Sequence, residues 1–183
     1  MSAKPTKPAC FKAYDVRGRV PSELDPDLAY RIGAATARFL KGGTFAVGRD
    51  CRLSSGELAE AVMRGLTEAG ADVLDIGQCG TEMVYYTTFA RELEGGIMVT
   101  ASHNPMDHNG MKLVREEAKP ISGDSGLDRI GAMALEGVDA QGPAGLVTHE
   151  DVLPAFTDFL LGTVDVAAFE PLKIVANGGN GCA

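Results

Sequence analysis

Residues 97–114, IMVTASHNPMDHNGMKLV, contain the side chains best suited to covalent chemistry. An apolar run stops at Ser102, His103 and Asn104, and a second apolar run follows that carries Lys112. The Asn-Pro and Asn-Gly pairs between the runs are strong turn formers, so composition alone weighs a plain polar turn and a reaction centre equally. A reaction centre would use Ser102 as a nucleophile at a strand end and Lys112 as an acid/base group that a hairpin brings back.

Two other chemistries fit the same segment less well. A serine hydrolase is disfavoured because His103 is adjacent to Ser102 in sequence, so its ring is expected to point away from the hydroxyl, and because the GxSxG pattern is absent. A zinc site built from His103, Asp107 and His108 lacks the spacing that helical ligand motifs have. The remaining histidine, His149, is expected at a helix start, facing solvent.

The bulk composition excludes several classes of protein. The 183 residues suffice for one domain with a piece of a second. The net charge of −8 argues against nucleic acid or an anionic membrane as a partner. No signal peptide and no apolar run near about 18 residues is visible. The four cysteines lack CxxC spacing, so reduced thiols in the cytoplasm are expected at Cys10, Cys51, Cys79 and Cys182.

Strand and helix patterns alternate along the chain, which predicts an α/β/α sandwich of three layers with a mixed, largely parallel sheet. Residues 1–9 are expected to be a flexible start, 10–168 one domain, and 169–183 the first strand and Gly-rich turn of a truncated second domain. Segment 137–147 is predicted to be a linker. The predicted strands are 10–18, 44–50 with a break at Gly48, 72–79, 94–102, 110–116 and 170–183; the predicted helices are 25–43, 54–71, 81–93, 122–137 and 150–162.

Three arginines are predicted to gather at one rim of this sheet. Arg17 lies in the polar turn, residues 15–18, in which the first predicted strand ends; Arg49 and Arg52 come after the predicted break at Gly48, and Ser102 is at the end of the fourth predicted strand. Ligands of open α/β sheets bind at the carboxyl ends of the strands, and guanidinium groups match the geometry of phosphate. An acidic protein with this rim is therefore expected to bind an anion there.

Three motifs resemble those of the α-D-phosphohexomutases. TASHNPMDHNGMKLV resembles the active-serine signature of that family, FKAYDVRG its N-terminal motif, and VGRDCRLSS the loop that follows. Residues 106–127 are similar in detail to the bacterial phosphomannomutases that supply GDP-mannose. The likeness covers about residues 10–183.

The resemblance implies an isomerase that moves a phosphoryl group within a hexose phosphate, most simply a mannose phosphate. Ser102 would be the phosphorylated residue, and a bisphosphorylated sugar would be the intermediate. Lys112 would be the general acid/base, and Arg17 would face the active site. Tyr14 would face the active site from the same loop as Arg17 and bind substrate. His103, as a catalytic residue, and Asn104, as a substrate contact, would flank the serine and shape its loop. Arg49 would belong to the loop that approaches the phosphoserine.

The resemblance also implies Mg²⁺ bound at the phosphoserine, with Ser102 as a ligand, and a hexose 1,6-bisphosphate as activator. The parent protein would be a monomer or a dimer. The family's Asp-Gly-Asp-Gly-Asp metal loop does not occur in this sequence, nor does its Gly-Glu-x-Ser-Gly-His sugar loop. The chain alone is therefore expected to be inactive. The alternative is a free-standing, non-catalytic domain that binds a phosphorylated ligand or partner.

Overall fold

A computed structural model describes residues 7–137 and 143–179. Residues 1–6 of the predicted flexible start, residues 138–142 of the predicted linker, and residues 180–183 of the predicted Gly-rich end lie outside the described residues. Residues 7–9 form a turn in which the Phe11 N–H donates to the Pro8 carbonyl over 3.1 Å. Lys7 pairs there with Asp128.

The described residues form one mixed sheet of seven strands in the order β1-β5-β4-β2-β3-β7, with β6 on the free side of part of β5. The pairs β2–β3, β2–β4 and β3–β7 are parallel, whereas β1–β5, β4–β5 and β5–β6 are antiparallel. The strands are β1 (Val16–Arg19), β2 (Thr44–Arg49), β3 (Asp72–Gln78), β4 (Gly95–Val99), β5 (His108–Arg115), β6 (Lys119–Pro120) and β7 (Val147–His149).

Helices cover both faces of the sheet, which confirms the predicted α/β/α fold. A large aliphatic core lies between the sheet and α1, α2 and α4, and a smaller one lies on the face covered by α3 and α5. The first helix begins where the sequence predicts, because the Asp25 side chain accepts a hydrogen bond from the Leu28 N–H over 2.8 Å. The helices are α1 (Pro26–Leu40), α2 (Ser55–Glu68), α3 (Thr81–Ala90), α4 (Leu127–Glu136) and α5 (Leu153–Leu161).

The first predicted strand is displaced along the chain. Residues 12–15 form a turn, closed by the Lys12 N–H on the Asp15 carbonyl, and the strand begins only at Val16. Arg17 consequently lies within β1, and the prediction that it lies in a turn at a strand end is wrong.

Gly48 does not break β2, which continues to Arg49. The register with β3 shifts between Val47 and Gly48, which absorbs the irregularity. A Cβ atom at residue 48 would lie 2.5 Å from the Cys79 sulfur, so close packing requires the glycine.

Two predictions near the end of the chain are also wrong. Val147, predicted in the linker, and His149, predicted at a helix start, belong to β7, because the edge of β3 offers backbone groups for pairing. His149 does face solvent, with Nδ1 3.2 Å from Oδ2 of Asp75. Residues 170–178 have no regular secondary structure, since no strand among the described residues pairs with them. Within the described ranges, no helix has the length and apolar character needed to cross a membrane.

The α1–α2 contact depends on two glycines. A Cβ atom on Gly65 would lie 2.0 Å from the Tyr30 carbonyl oxygen, and one on Gly33 would lie 2.3 Å from that of Val62. The two helix backbones therefore touch at these two positions. Gly56, in the same helix, has open space around the equivalent position.

We expect Gly65→Ala to lower the free energy of unfolding by about 2 kcal/mol, because the overpacked contact outweighs the helix preference of alanine. Gly56→Ala is the matched control, and it should be neutral or stabilising by at most about 1 kcal/mol. Urea denaturation of both variants measures the difference. Equal stabilities would show that the two helices separate without cost.

Candidate active site

A cleft of about 760 Å³ opens at the carboxyl ends of β2, β3 and β4. Its walls come from the loop after β2, the start of α3 and the loop after β4. This is the position at which open α/β sheets bind ligands. Its lining includes Asp50, Cys51, Arg52, Cys79, Thr81, Met98, Thr100, Ser102, His103 and Asn104.

Ser102 is exposed in this cleft in an unusual backbone conformation. Its φ angle is 53°, in the left-handed region that L-residues with a Cβ seldom adopt. The Ser102 N–H donates to Oγ1 of Thr100 over 2.9 Å. Its Oγ lies 3.4 Å from Nδ1 of His103, so the expectation that this ring points away from the hydroxyl is wrong. The positive φ brings the two neighbouring side chains together.

Arg52 holds the loop that carries Ser102. Its Nη2 donates to the carbonyls of Ser102 at 2.8 Å and Asn104 at 2.7 Å. Its Nη1 donates to the carbonyls of Pro105 at 2.7 Å and His108 at 3.0 Å. The guanidinium thus joins both ends of the loop to the chain that follows β2.

Asp50 connects this loop to the rest of the fold. Oδ2 accepts a hydrogen bond from Oγ1 of Thr100 at 2.7 Å, and Oδ1 accepts one from Oγ of Ser55 at 2.5 Å. The Arg52 N–H donates to Oδ1 at 3.1 Å, and Nε of Arg52 lies 3.3 Å from Oδ2. One carboxylate therefore ties together the ends of β2 and β4, the start of α2 and the arginine.

Asn109, which is fully buried, extends the same network into β5. Its Nδ2 donates to the hydroxyl oxygens of Ser54 at 2.8 Å and Ser55 at 2.9 Å, and its Oδ1 accepts from the Gly110 N–H. The asparagine of the predicted Asn-Gly turn is thus a strand residue that packs against the start of α2.

Arg17 and Lys112 share the sheet face to which Met98 belongs, but neither side chain is among those that line the cleft. Lys112 is opposite Met98, whose side chain lines the cleft, and directly opposed residues of an antiparallel pair point the same way. Arg17 is opposite Gly110, so it is a diagonal neighbour of Lys112.

The two side chains differ in their partners. Nη1 of Arg17 donates to the Thr100 carbonyl at 3.4 Å, and Nε of Arg17 pairs with Asp15 at 2.9 Å. Lys112 makes no hydrogen bond or ion pair with any described residue.

Arg49 and Tyr14 do not join the cleft. Arg49 has the same orientation as Val47, toward the larger core, and its Nη1 lies 3.5 Å from Oδ1 of Asp75. Tyr14 is 80% exposed and lines a different cleft, beside Lys12. Sequence position at a predicted strand end could not distinguish the two faces of the sheet.

Two ionisable groups close to these residues are perturbed. Burial raises the pKa of Tyr85, and the nearby carboxylates of Glu82 and Asp15 raise it further. The phenol therefore stays protonated beside Asp15. On the serine loop, the hydrogen bond from His108 lowers the pKa of Asp107. Among the described residues, no group of three His, Cys, Asp or Glu side chains could hold a metal ion.

The sequence does not predict that Asp50 and Arg52 hold Ser102. Asp50 and Arg52 occur in VGRDCRLSS, a segment that the resemblance already marked, and Arg52 was expected at the rim as an anion ligand. That it binds carbonyl oxygens follows only from the tertiary structure, because its partners lie about 50 residues later in the chain.

We expect Asp50→Asn to lower the free energy of unfolding by about 2 kcal/mol, because an amide cannot accept from all the donors that the carboxylate satisfies. Asp27→Asn removes an exposed carboxylate paired with Arg31 and should cost less than about 1 kcal/mol. Denaturant unfolding of the two variants compares them. A smaller loss for Asp50→Asn than for the control would contradict the network.

Comparison with known proteins identifies the relatives of this arrangement. A family model described as "Phosphoglucomutase/phosphomannomutase, alpha/beta/alpha domain I" matches residues 8–137. The chain is 55% identical to a phosphomannomutase of Escherichia coli, over 97% of this chain and 40% of the relative. It is 51% identical to a protein named "Phosphohexose mutases" from Xanthomonas campestris pv. campestris strain B100, over 97% of this chain and 40% of the relative.

Structural comparison agrees. The chain superposes on a phosphoglucomutase/phosphomannomutase family protein from Burkholderia thailandensis with a TM-score of 0.75 and 33% identity, over 84% of this chain and 35% of that one. The chain thus spans about 40% of the length of the curated relatives. Because the family model covers most of the chain, the chain belongs to the phosphoglucomutase/phosphomannomutase family and contains its α/β/α domain I.

Proposed function

We propose that this chain supplies the phosphoryl-carrying serine of an enzyme that interconverts hexose 6-phosphate and hexose 1-phosphate. The observation that carries the proposal is the exposed Ser102 hydroxyl, in a cleft whose sheet face also bears Arg17 and Lys112. Family membership and the names of the relatives support the reaction class.

The transfer proceeds in two balanced steps. In the first, the bond between phosphorus and Ser102 Oγ breaks as a sugar hydroxyl oxygen bonds to phosphorus; the proton of that hydroxyl passes to Lys112, and Ser102 Oγ takes a proton from His103. In the second, the other phosphoryl group of the bisphosphate passes to Ser102 Oγ, which returns its proton to His103, and the sugar oxygen that the phosphoryl group leaves takes the proton from Lys112. The net change is the position of the phosphoryl group on the sugar.

Lys112 and Arg17 are the groups of this chain suited to these steps. Two cations side by side on one sheet face repel each other, and a phosphate dianion between them relieves that repulsion. Lys112 has no partner among the described residues and is part-buried, so it is available for proton transfer at a sugar hydroxyl. His103, 3.4 Å from Oγ, is placed to exchange a proton with the free serine.

Magnesium, which the resemblance implies, needs a shell of oxygen ligands. Among the described residues, the proposal assigns only the Ser102 oxygen to magnesium as a ligand. No group of three His, Cys, Asp or Glu side chains in the described ranges could complete the site. The steps assigned to this chain accordingly use its own side chains. Mannose is proposed as the preferred sugar, because the chain is 55% identical to a phosphomannomutase.

The alternative function is a non-catalytic domain that binds a phosphorylated ligand through the same cleft. The reading frame beyond Ala183 separates the two. A downstream Asp-rich metal loop favours the enzyme, and a stop codon favours the binding domain.

We expect the longest product of this reading frame to gain one phosphoryl group on incubation with glucose 1,6-bisphosphate, as measured by intact mass. Ser102→Ala removes the acceptor oxygen and should abolish the gain completely, whereas Ser125→Ala, an exposed serine outside the cleft, should leave it unchanged. An unphosphorylated wild-type protein, or a phosphorylated Ser102→Ala variant, would count against the proposed function. The 183-residue chain alone should show no mutase turnover.

A further inference from the structure

The Arg52 guanidinium has no nitrogen left without an oxygen partner. Its two Nη atoms donate to the carbonyls of residues 102, 104, 105 and 108, and Nε lies 3.3 Å from Oδ2 of Asp50. A guanidinium offers five N–H donors in one plane, and four of them are used by the serine loop. The side chain is 14% exposed, so it has little room to turn toward a ligand.

Arg17 presents a different pattern. Nε binds Asp15 and Nη1 binds the Thr100 carbonyl, while Nη2 makes no contact with an oxygen of any described residue. Arg17 and Arg52, which the sequence predicts at the same rim of the sheet, thus differ in the number of donors left for a ligand. Arg17 retains donors for an incoming anion, and Arg52 does not.

The four hydrogen bonds from Arg52 to the loop carbonyls form a clamp. This clamp and the backbone conformation of Ser102 depend on each other. The Ser102 carbonyl accepts from Nη2 at 2.8 Å while the Ser102 N–H donates to Thr100, and both are satisfied with φ at 53°. Releasing the carbonyls would remove the contacts that favour this conformation over the extended and right-handed ones. The hydroxyl would then no longer be held at the mouth of the cleft.

We propose that Arg52 is a positioning residue, which fixes Ser102 in its left-handed conformation by binding four loop carbonyls, and is not a phosphate ligand. The proposal rests on the proposed function only for the claim that Ser102 carries the phosphoryl group. Lysine cannot replace Arg52, because an ammonium is a point donor with three N–H groups and cannot span carbonyls at both ends of the loop.

The test uses the 183-residue chain in solution with the variants Arg52→Ala and Arg52→Lys. Amide hydrogen exchange is followed at Ser102, Asn104 and His108, whose N–H groups are bonded within the loop. The coupling between the amide and α protons of Ser102 reports its φ. The control is Arg31→Ala, which removes an arginine from an exposed helical ion pair with Asp27.

We expect both Arg52 variants to exchange the three loop amides about tenfold faster or more, and to lose the left-handed coupling at Ser102. Arg31→Ala should match the wild type at all three amides. Wild-type exchange and coupling in Arg52→Ala would overturn the proposal, and so would full restoration by lysine. If Arg52→Ala does not fold, the lysine variant decides.

A second measurement needs no variant. Inorganic phosphate is titrated into the wild-type chain while the Nε–H signals of Arg17 and Arg52 are observed. The Arg52 signal should stay unchanged, and a saturable shift of that signal would overturn the proposal. An unmoved Arg17 signal would instead count against the proposed anion site and leave the role of Arg52 intact. Failure of the two proposals is therefore distinguishable.

Discussion

The left-handed backbone of Ser102 is the constraint on which the cleft depends. An L-residue at φ 53° costs about 1–2 kcal/mol relative to the right-handed or extended regions. A hydrogen bond to a charged donor contributes about 1.5–3 kcal/mol, and Arg52 makes four of them to the same loop. The bond to the Ser102 carbonyl alone therefore matches the backbone cost, and the other three bonds fix the loop around it, so the exposed Ser102 hydroxyl is held in one place.

The clamp is effective because its other end is anchored in the fold. Asp50 binds the backbone and side chain of Arg52, and the same carboxylate binds hydroxyls from the end of β4 and the start of α2. Asn109 adds β5 through two serine hydroxyls. The α1–α2 contact, which only glycine permits at positions 33 and 65, fixes how α2, whose first residue Ser55 binds Asp50, packs on α1.

The sequence predicts the layers of this fold well, because periodicity reports which residues face a core. It predicts that Ser102 and Lys112 lie close together, because a strand, a turn and a returning strand are consecutive there. Arg49 lies outside the cleft, because position at a strand end does not determine which face of the sheet a side chain occupies. The contacts of Arg52 could not be predicted, because carbonyl groups occur at every residue and only the folded loop brings these four together.

The contrast between two arginines bears on how the proposed anion site would work in an acidic chain. With a net charge of −8, the protein cannot attract a phosphate by its overall field, so local cations must do so at short range. Arg52 contributes charge close to Ser102 while its donors are occupied, which fixes geometry. Arg17 binds Asp15 through Nε and the Thr100 carbonyl through Nη1, and its Nη2 makes no hydrogen bond or ion pair with a described residue. Under the two proposals, rigid placement of Ser102 and free donors for the ligand are therefore assigned to different arginines.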